Sequence, residues 1–134
     1  MSIIKEYFEL YEKYIKEYGE NTCIFIQIGS FYENYSVKNK KEEIGNAHIV
    51  SSLLNIQLTK RSKKDLEVNR KNPYMCGIPV AIFKDKYMSV LVDNNYTVII
   101  IDQVSTETPI ERPKKKISSI FIQARKNGTH LKLR

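Results

Sequence analysis

Short apolar runs alternate along this chain with segments of helical periodicity. The run at residues 22–28 is rich in β-branched residues and is followed by Gly29 and Ser30, which favours a buried strand over a helix. Residues 96–101 form the most strand-like stretch of the sequence. Other segments place apolar residues every three or four positions, as amphipathic helices do. The alternation predicts an α/β (α+β mixed) fold: a single mixed β-sheet flanked by about three helices.

The individual elements follow from the same patterns. Helices are expected over residues 3–18, 41–54 and around 83–91, and strands over 22–28, 56–59, 96–101 and 117–122, with an extended piece at 73–79. The 134 residues suffice for one compact domain. Residues 60–71 hold six basic and two acidic residues, and a solvated loop is favoured there over a phosphate contact.

The net charge of +7 is concentrated near the C-terminus. Residues 1–110 hold 14 basic and 14 acidic residues, whereas residues 111–134 hold 8 basic and 1 acidic. A neutral body with a basic end suits contact with phosphates, because neutralising them releases counterions. A tail that is only solubilising or disordered explains the same charges equally well.

The cysteines and the N-terminus indicate a compartment. Cys23 and Cys76 are the only cysteines and each lies in an apolar run, so buried free thiols are favoured over a disulfide or a metal site. This usage suits a reducing compartment. The first residues lack a continuous apolar segment, and no stretch approaches the roughly 18 apolar residues of a membrane span. We therefore expect a soluble, intracellular protein that does not contact a membrane.

Sequence motifs for catalysis and cofactor binding are absent. The sequence has no Walker-type phosphate loop, no dinucleotide-binding glycine fingerprint and no His or Cys pair at metal-ligand spacing. His48 lies in a predicted helix, where a structural role is favoured, and His130 lies near the C-terminus. Glu42 and Glu43 are adjacent in that helix, so their side chains diverge and suit no two-metal or acid/base site. We expect no enzymatic activity, no cofactor and no metal.

Gly29-Ser30-Phe31-Tyr32-Glu33 is the unusual segment of the sequence. Glycine permits a tight turn at the exit of the strand. Phe31 supplies the flat apolar side chain that can pry apart a base step. Glu33 suits a site beside DNA only if it faces a base edge, where it accepts a hydrogen bond or shares a proton with a ring nitrogen. From the residues alone, a core aromatic at Phe31 and a surface charge at Glu33 is the better interpretation.

Five motifs follow one another along the chain. They are IFIQIGSFYE at residues 24–33, LLNIQLTKR at 53–61, MCGIP at 75–79, YTVIIIDQV at 96–104 and PIER at 109–112. In this order they resemble the N-terminal mismatch-recognition domain of the MutS DNA mismatch-repair family. That family's motifs include Gly-Asp-Phe-Tyr-Glu, Leu-Thr-Lys-Arg, Met-Ala-Gly-Val-Pro and Glu-Gln-Val. The resemblance implies a recognition domain over residues 1–122, followed by a basic C-terminal tail at 123–134.

The resemblance also implies which residues function. The family's wedge phenylalanine falls on Phe31, which would stack on a mispaired base from the minor groove, and its base-contacting glutamate falls on Glu33. Three further residues match family positions near the DNA, where they would position the phosphate backbone of the duplex. They are Lys60, Arg61 and Met75. The implied partner is double-stranded DNA with mismatches or small loops, and other mismatch-repair proteins are a second class of partner. Unstacking a faulty pair costs less than unstacking a good one, so deformability would select the lesion.

Several features depart from the family's pattern. Ser30 stands where Asp is common, and Val80-Ala81 stand where bacterial sequences have Tyr-His. The loop at residues 63–72 resembles the viral and mitochondrial branch. The family's connector, lever, clamp and ATPase domains have no counterpart in these residues. No ATPase activity is therefore expected of this chain, and its affinity for DNA is expected to be about micromolar or weaker.

Other functions remain open from the sequence. One is an interaction or regulatory module, derived from a MutS domain, that binds repair proteins or competes with full-length MutS. A small metal-dependent nuclease has less support. Whether the chain is a stand-alone protein, a remnant or one piece of a split protein is also open.

Overall fold

The computed structural model describes the backbone of residues 3–104, 114–124 and 129–133 and the side chains of residues 3–102. Within these ranges the strands are β1 (Thr22–Ile28), β2 (Phe31–Lys38), β3 (Glu43–Gly45), β4 (Thr59–Lys60), β5 (Tyr74–Pro79), β6 (Thr97–Val104), β7 (Lys114–Ala124) and β8 (Thr129–Leu133). The helices are α1 (Ile3–Tyr18), α2 (Ala47–Leu54), α3 (Val80–Ile82) and α4 (Met88–Asp93), and a π-helical stretch, Phe83–Tyr87, joins the last two.

The strands form one mixed sheet, as the sequence predicts. Its order is β4-β5-β2-β1-β6-β7-β8, and β3 pairs with β2. β1 and β6 are parallel, and the other neighbours are antiparallel. Gly29 and Ser30 form a two-residue loop between β1 and β2, with Ile28 opposite Phe31. Gly29 has a φ of 59°, the positive value that a type II′ hairpin turn requires at its first central residue.

Helices bury both faces of the centre of the sheet. α1 covers one face, which we call the α1 face, with a buried cluster of Ile4, Tyr7, Phe8, Tyr11, Tyr14, Ile24, Ile26, Tyr35, Val37, Ile99 and Ile101. α2 and the helical residues 80–93 cover the opposite face, where Cys23, Phe25, Tyr32, Ala47, Val50, Leu54, Cys76, Ile78, Phe83, Leu91, Val92, Val98 and Ile100 are buried. Three helical segments therefore flank the sheet, in agreement with the expected architecture.

Buried polar side chains fill the gap where β1 and β2 diverge. Backbone pairing between these strands ends at Ile26 and Glu33. Beyond that point, the Ile24 carbonyl accepts hydrogen bonds from the Tyr7 hydroxyl at 2.9 Å and from Asn34 Nδ2 at 3.0 Å. Asn34 Nδ2 also donates to the Tyr7 oxygen at 3.1 Å. The strands can therefore separate without leaving a buried carbonyl unpaired.

Several predicted elements are confirmed. α1 occupies the predicted residues 3–18, and β1 the predicted residues 22–28. The extended piece at 73–79 contains β5, and the predicted strand at 96–101 lies almost wholly within β6. Residues 61–71 contain no helix or named strand. Cys23 and Cys76 are free and buried, as their apolar surroundings predict.

The prediction of a helix over residues 41–54 is wrong in its first half. Within residues 41–54 only α2 is helical. Glu43 lies in β3, which pairs with β2, so Glu42 and Glu43 do not share a helix. Gly45 ends β3 with a φ of 87°, and a Cβ there would lie 2.4 Å from the Tyr35 carbonyl oxygen. The left-handed conformation and the close approach both require glycine.

The strand predicted at residues 56–59 is displaced to β4. Asn55 ends α2 with a φ of 54°, and the Ile56 N–H bonds back to the Ser51 carbonyl, so the chain is still turning where the strand was expected. The apolar residues of this segment nevertheless pack against the core. Their burial explains the apolar pattern without a strand.

Like β3, the strands β2 and β8 were not predicted. β2 contains buried polar residues such as Asn34 and Ser36, so it lacks the apolar run that marks β1. β8 pairs with β7, which extends beyond the predicted residues 117–122.

Some predictions lie outside the described residues. These are the motif at 109–112, the basic side chains of the C-terminal segment and the side chain of His130. The domain boundary at residue 122 stays a prediction.

Candidate functional site

Phe31 begins β2 directly after the hairpin turn. Its backbone lies opposite Ile28 of β1 on one side and Pro79 of β5 on the other. The carbonyl of Ser30, the preceding residue, accepts a hydrogen bond from the Val80 N–H at 2.8 Å. The Phe31 side chain is 43% exposed. A half-exposed aromatic ring thus stands on a backbone that is held from both sides.

Glu33 projects from the same face of β2 as Phe31, because side chains alternate along a strand. Gly77 of β5 lies opposite Glu33 and leaves room for both side chains. A Cβ placed on Gly77 would lie 3.7 Å from Phe31 Cδ2 and 3.8 Å from Glu33 Cγ. The ring and the carboxylate therefore lie side by side over a glycine.

Tyr35 is the next residue on this face and contacts the carboxylate directly. Its hydroxyl donates a hydrogen bond to Glu33 Oε1. Within the described residues, Glu33 Oε2 accepts no hydrogen bond, and neither ion pair includes Glu33. Burial, and secondly the bond to Glu33, raises the pKa of Tyr35 well above its ordinary value. The hydroxyl therefore remains a donor at neutral pH, and one carboxylate oxygen remains available.

Tyr32 anchors the same segment on the opposite face of the sheet. Its hydroxyl donates to Asp102 Oδ1 at 2.6 Å, and its ring centroid lies 5.2 Å from that of Phe83. Burial, followed by the bond to Asp102, raises the pKa of Tyr32 well above its ordinary value. Because Tyr32 lies between Phe31 and Glu33 in the chain, this anchor limits movement of both.

The other predicted site residues are divided between the two faces. Met75 lies opposite Tyr35 and packs against the cluster under α1. The exposed Arg61 follows β4 and lines a groove together with residues of α1. Lys60 lies opposite Tyr74, whose ring contacts His48 of α2, so Lys60 belongs to the other face. The structure therefore brings Phe31, Glu33, Met75 and Arg61 to the α1 face and separates Lys60 from them.

A groove of about 690 Å³ lies between α1 and residues 61–71. It is lined by Ile4, Lys5, Phe8, Glu9, Arg61, Arg70 and Lys71. Arg70 also forms ion pairs with Glu42 at 2.9 Å and Glu12 at 3.1 Å. Basic residues outnumber acidic ones in the lining, so the groove favours anions.

The part of the chain that the structure describes has neither a cluster of metal ligands nor a membrane-spanning helix. Among the described residues, no group of three or more His, Cys, Asp or Glu side chains could hold a metal ion. None of the helices in these ranges has the length and apolarity that crossing a membrane requires. His48 is exposed, and its ring packs edge-on at 4.7 Å from that of Tyr74.

Comparison with known families identifies the domain. Residues 3–125 match the family model described as MutS domain I. The chain belongs to this family. A DNA mismatch repair protein mutS homolog of Acanthamoeba polyphaga mimivirus is 41% identical over 113 residues, which cover 83% of this chain and 10% of the relative. The resemblance deduced from the five motifs is thereby confirmed.

Bacterial relatives match the same MutS domain I region. The DNA mismatch repair protein MutS of Borreliella burgdorferi is 32% identical over 113 residues, 82% of this chain and 10% of the relative. That of Staphylococcus aureus is 34% identical over 105 residues, 78% of this chain and 10% of the relative. The chain therefore spans about a tenth of the length of these curated relatives.

Sequence reasoning missed three contributors to this candidate site. Tyr35 follows Phe31 and Glu33 at the two-residue spacing of a strand, a signal that recognising β2 would have provided. Gly77 lies inside the MCGIP motif, but its place under Phe31 and Glu33 depends on strand register. Asp102 meets Tyr32 across 70 positions of sequence, and no local pattern indicates that contact.

Proposed function

We propose that this MutS domain I binds mismatched or distorted double-stranded DNA, inserting Phe31 at a base step and contacting the displaced base with Glu33. The observation that carries the proposal is the half-exposed Phe31 ring beside the Glu33 carboxylate over Gly77. A ring that packs only against its own domain has no need of this exposure. The relatives, named as DNA mismatch repair proteins, support the same function.

The wedge is energetically suited to faulty base pairs. Stacking an aromatic side chain on a base contributes about 1–3 kcal/mol. Separating a base step costs a few kcal/mol and less where pairing is already defective. The free energy gained by stacking therefore offsets the cost of separating the bases only at a defective step. The two strands beside Phe31 keep the ring in place before DNA arrives, which reduces the ordering cost of binding.

Glu33 would act on the base rather than on the backbone. A carboxylate is repelled by phosphates, whereas its open Oε2 can accept a hydrogen bond from a base edge. Arg61, Met75 and the basic groove would position the backbone and other parts of the duplex on the α1 face. Lys60 would reach DNA only around the edge formed by β4, since it lies on the opposite face. Binding would proceed without ATPase activity in this chain.

Fluorescence anisotropy tests the proposal. Wild type, Phe31→Ala and Ile49→Ala would be titrated into labelled duplexes that are matched, contain a G·T mismatch, or contain a single-base bulge. Ile49 is the control because it is 47% exposed but lies on α2. We expect Phe31→Ala to weaken lesion binding about tenfold or more, with matched binding unchanged. The proposal fails if Phe31→Ala alters neither affinity nor the preference for lesions.

A further inference from the structure

We propose that Tyr35 is a positioning residue that holds Glu33 as a hydrogen-bond acceptor, so that the domain prefers lesion bases presenting an N–H donor, such as thymine with its N3–H. This inference rests on the proposed function, because it requires Glu33 to face the base. It adds a second selection, by base chemistry, to selection by deformability.

The first support is the direction of the contact. The Tyr35 hydroxyl donates to Glu33 Oε1. An ionised carboxylate only accepts hydrogen bonds, whereas a protonated one also donates. With the Tyr35 hydroxyl donating to Oε1, Oε2 is the carboxylate oxygen left to accept a hydrogen bond from the base. A base edge with an N–H donates a hydrogen bond to Oε2. A ring nitrogen that carries only a lone pair cannot donate, so it and Oε2 face each other as two acceptors.

The second support is the immobility of Tyr35. The residue is 1% exposed, and its ring packs edge-on against Tyr7, with centroids 4.9 Å apart. Tyr7 is itself fixed by its hydrogen bond to the Ile24 carbonyl. The Tyr35 hydroxyl therefore cannot follow Glu33 if the carboxylate turns away. It also keeps its proton, because burial and the Glu33 carboxylate raise the pKa of Tyr35, and the charge of Arg61 opposes only part of that rise.

The third support is the restricted space around Glu33. Its Cγ lies over Gly77, and the Phe31 ring occupies the adjacent position on the same face. The carboxylate thus extends between a ring that would stack on the base and a hydroxyl that holds one of its oxygens. This arrangement directs Oε2 with little freedom, which is the condition for discrimination between donor and acceptor edges.

The experiment compares two bulged duplexes that differ at one hydrogen-bond donor. One carries an unpaired thymine, and the other carries an unpaired N3-methylthymine, which lacks the N3–H. We expect wild type to prefer thymine by about tenfold. Tyr35→Phe should reduce this ratio to about threefold or less while still preferring a bulge over matched DNA. Glu33→Ala measures the part of the ratio that comes from the bulk of the methyl group.

Two further variants make the outcome decisive. Tyr11→Phe removes a hydroxyl from the same buried cluster and should keep the wild-type ratio. Glu33→Gln retains the size of the side chain but loses the charge, so its ratio should fall as in Tyr35→Phe even if the latter is unstable. Thermal unfolding of each variant checks the fold.

The possible failures are distinguishable. If Phe31→Ala abolishes lesion preference but Tyr35→Phe and Glu33→Gln keep the wild-type thymine ratio, the role of Tyr35 is overturned and the proposed function stands. If Phe31→Ala has no effect on lesion preference, the proposed function fails and this inference fails with it.

Discussion

A substitution at Gly77 can displace Phe31, the proposed wedge, while leaving the fold intact. A Cβ at this position meets Phe31 Cδ2 at 3.7 Å and Glu33 Cγ and the Tyr32 carbonyl oxygen at 3.8 Å, which are ordinary contact distances. Gly77→Ala should therefore fit. Valine carries two further methyl groups about 1.5 Å beyond Cβ. All three contacting atoms belong to β2, so a methyl group directed toward that strand would overlap Phe31 or Glu33 and displace it.

Gly77→Val should weaken DNA binding rather than lower the stability of the fold. The displaced ring forfeits a stacking contribution of about 2 kcal/mol, so the affinity for a bulged duplex should fall roughly 30-fold. Crowding costs the folded state little, because the half-exposed Phe31 ring can move toward solvent. Valine is also favoured over glycine in strands, by up to about 1 kcal/mol. The free energy of unfolding should therefore change by less than about 1 kcal/mol.

Anisotropy titrations and urea unfolding of wild type, Gly77→Ala and Gly77→Val measure both quantities. We expect Gly77→Ala to match wild type and Gly77→Val to lose bulge affinity while matched binding and stability persist. A Gly77→Val protein that binds bulged DNA as tightly as wild type would refute the reasoning, since the ring could not then be acting from its place over Gly77.

Two further predictions concern the basic residues and a buried thiol. Arg61→Ala should weaken binding to matched and mismatched duplexes alike and reduce the salt slope by about 1, whereas Lys60→Ala should change little, because Lys60 faces α2 and donates to the Asp65 carbonyl. Salt titrations measure this, and equal effects of the two variants would contradict it. Burial raises the pKa of Cys76 from 9.0 to about 12, so the stability from its neutral thiol is present below about pH 9 and is lost as pH rises toward 12. Urea unfolding across this range should show a shallower decline for Cys76→Ala, and an equally steep one would argue against the thiol's contribution.

Local patterns predicted those elements whose burial is uniform along their length. α1 carries apolar residues at helical spacing, and β1 is a continuous apolar run buried from both sides, so each pattern has one structural solution. The same local patterns did not predict β2. Asn34 and Ser36 are buried there, and Asn34 is satisfied by Tyr7 and the Ile24 carbonyl, which come from elsewhere in the chain. Tyr7 lies 27 positions before Asn34, outside a local window of sequence around β2.

Family resemblance predicted Phe31 and Glu33 as candidate site residues but did not indicate the side chains that surround them. The ordered motifs assigned the domain, since each is a short string that a sequence comparison can match. They also placed Lys60 beside Arg61 as if the two were equivalent. Side chains alternate along a strand, so Lys60 and Arg61 project to opposite faces of the sheet. Because β4 lies at the edge of the sheet, its position determines which residues each side chain lies near.

The sequence by itself determined the alternation of helices and strands, the tight turn at Gly29, the burial of both cysteines and membership of the MutS domain I family, because each depends on adjacent or periodically spaced residues. Only the tertiary structure decided that the Phe31 ring stands half exposed, that Glu33 accepts a hydrogen bond from Tyr35, and that Gly77 leaves space beneath Phe31 and Glu33. Gly77 lies 44 positions from Glu33 in the sequence and meets it only through the pairing of β2 with β5. Contacts of this kind arise from strand register and layer packing, and these are settled when the whole sheet assembles.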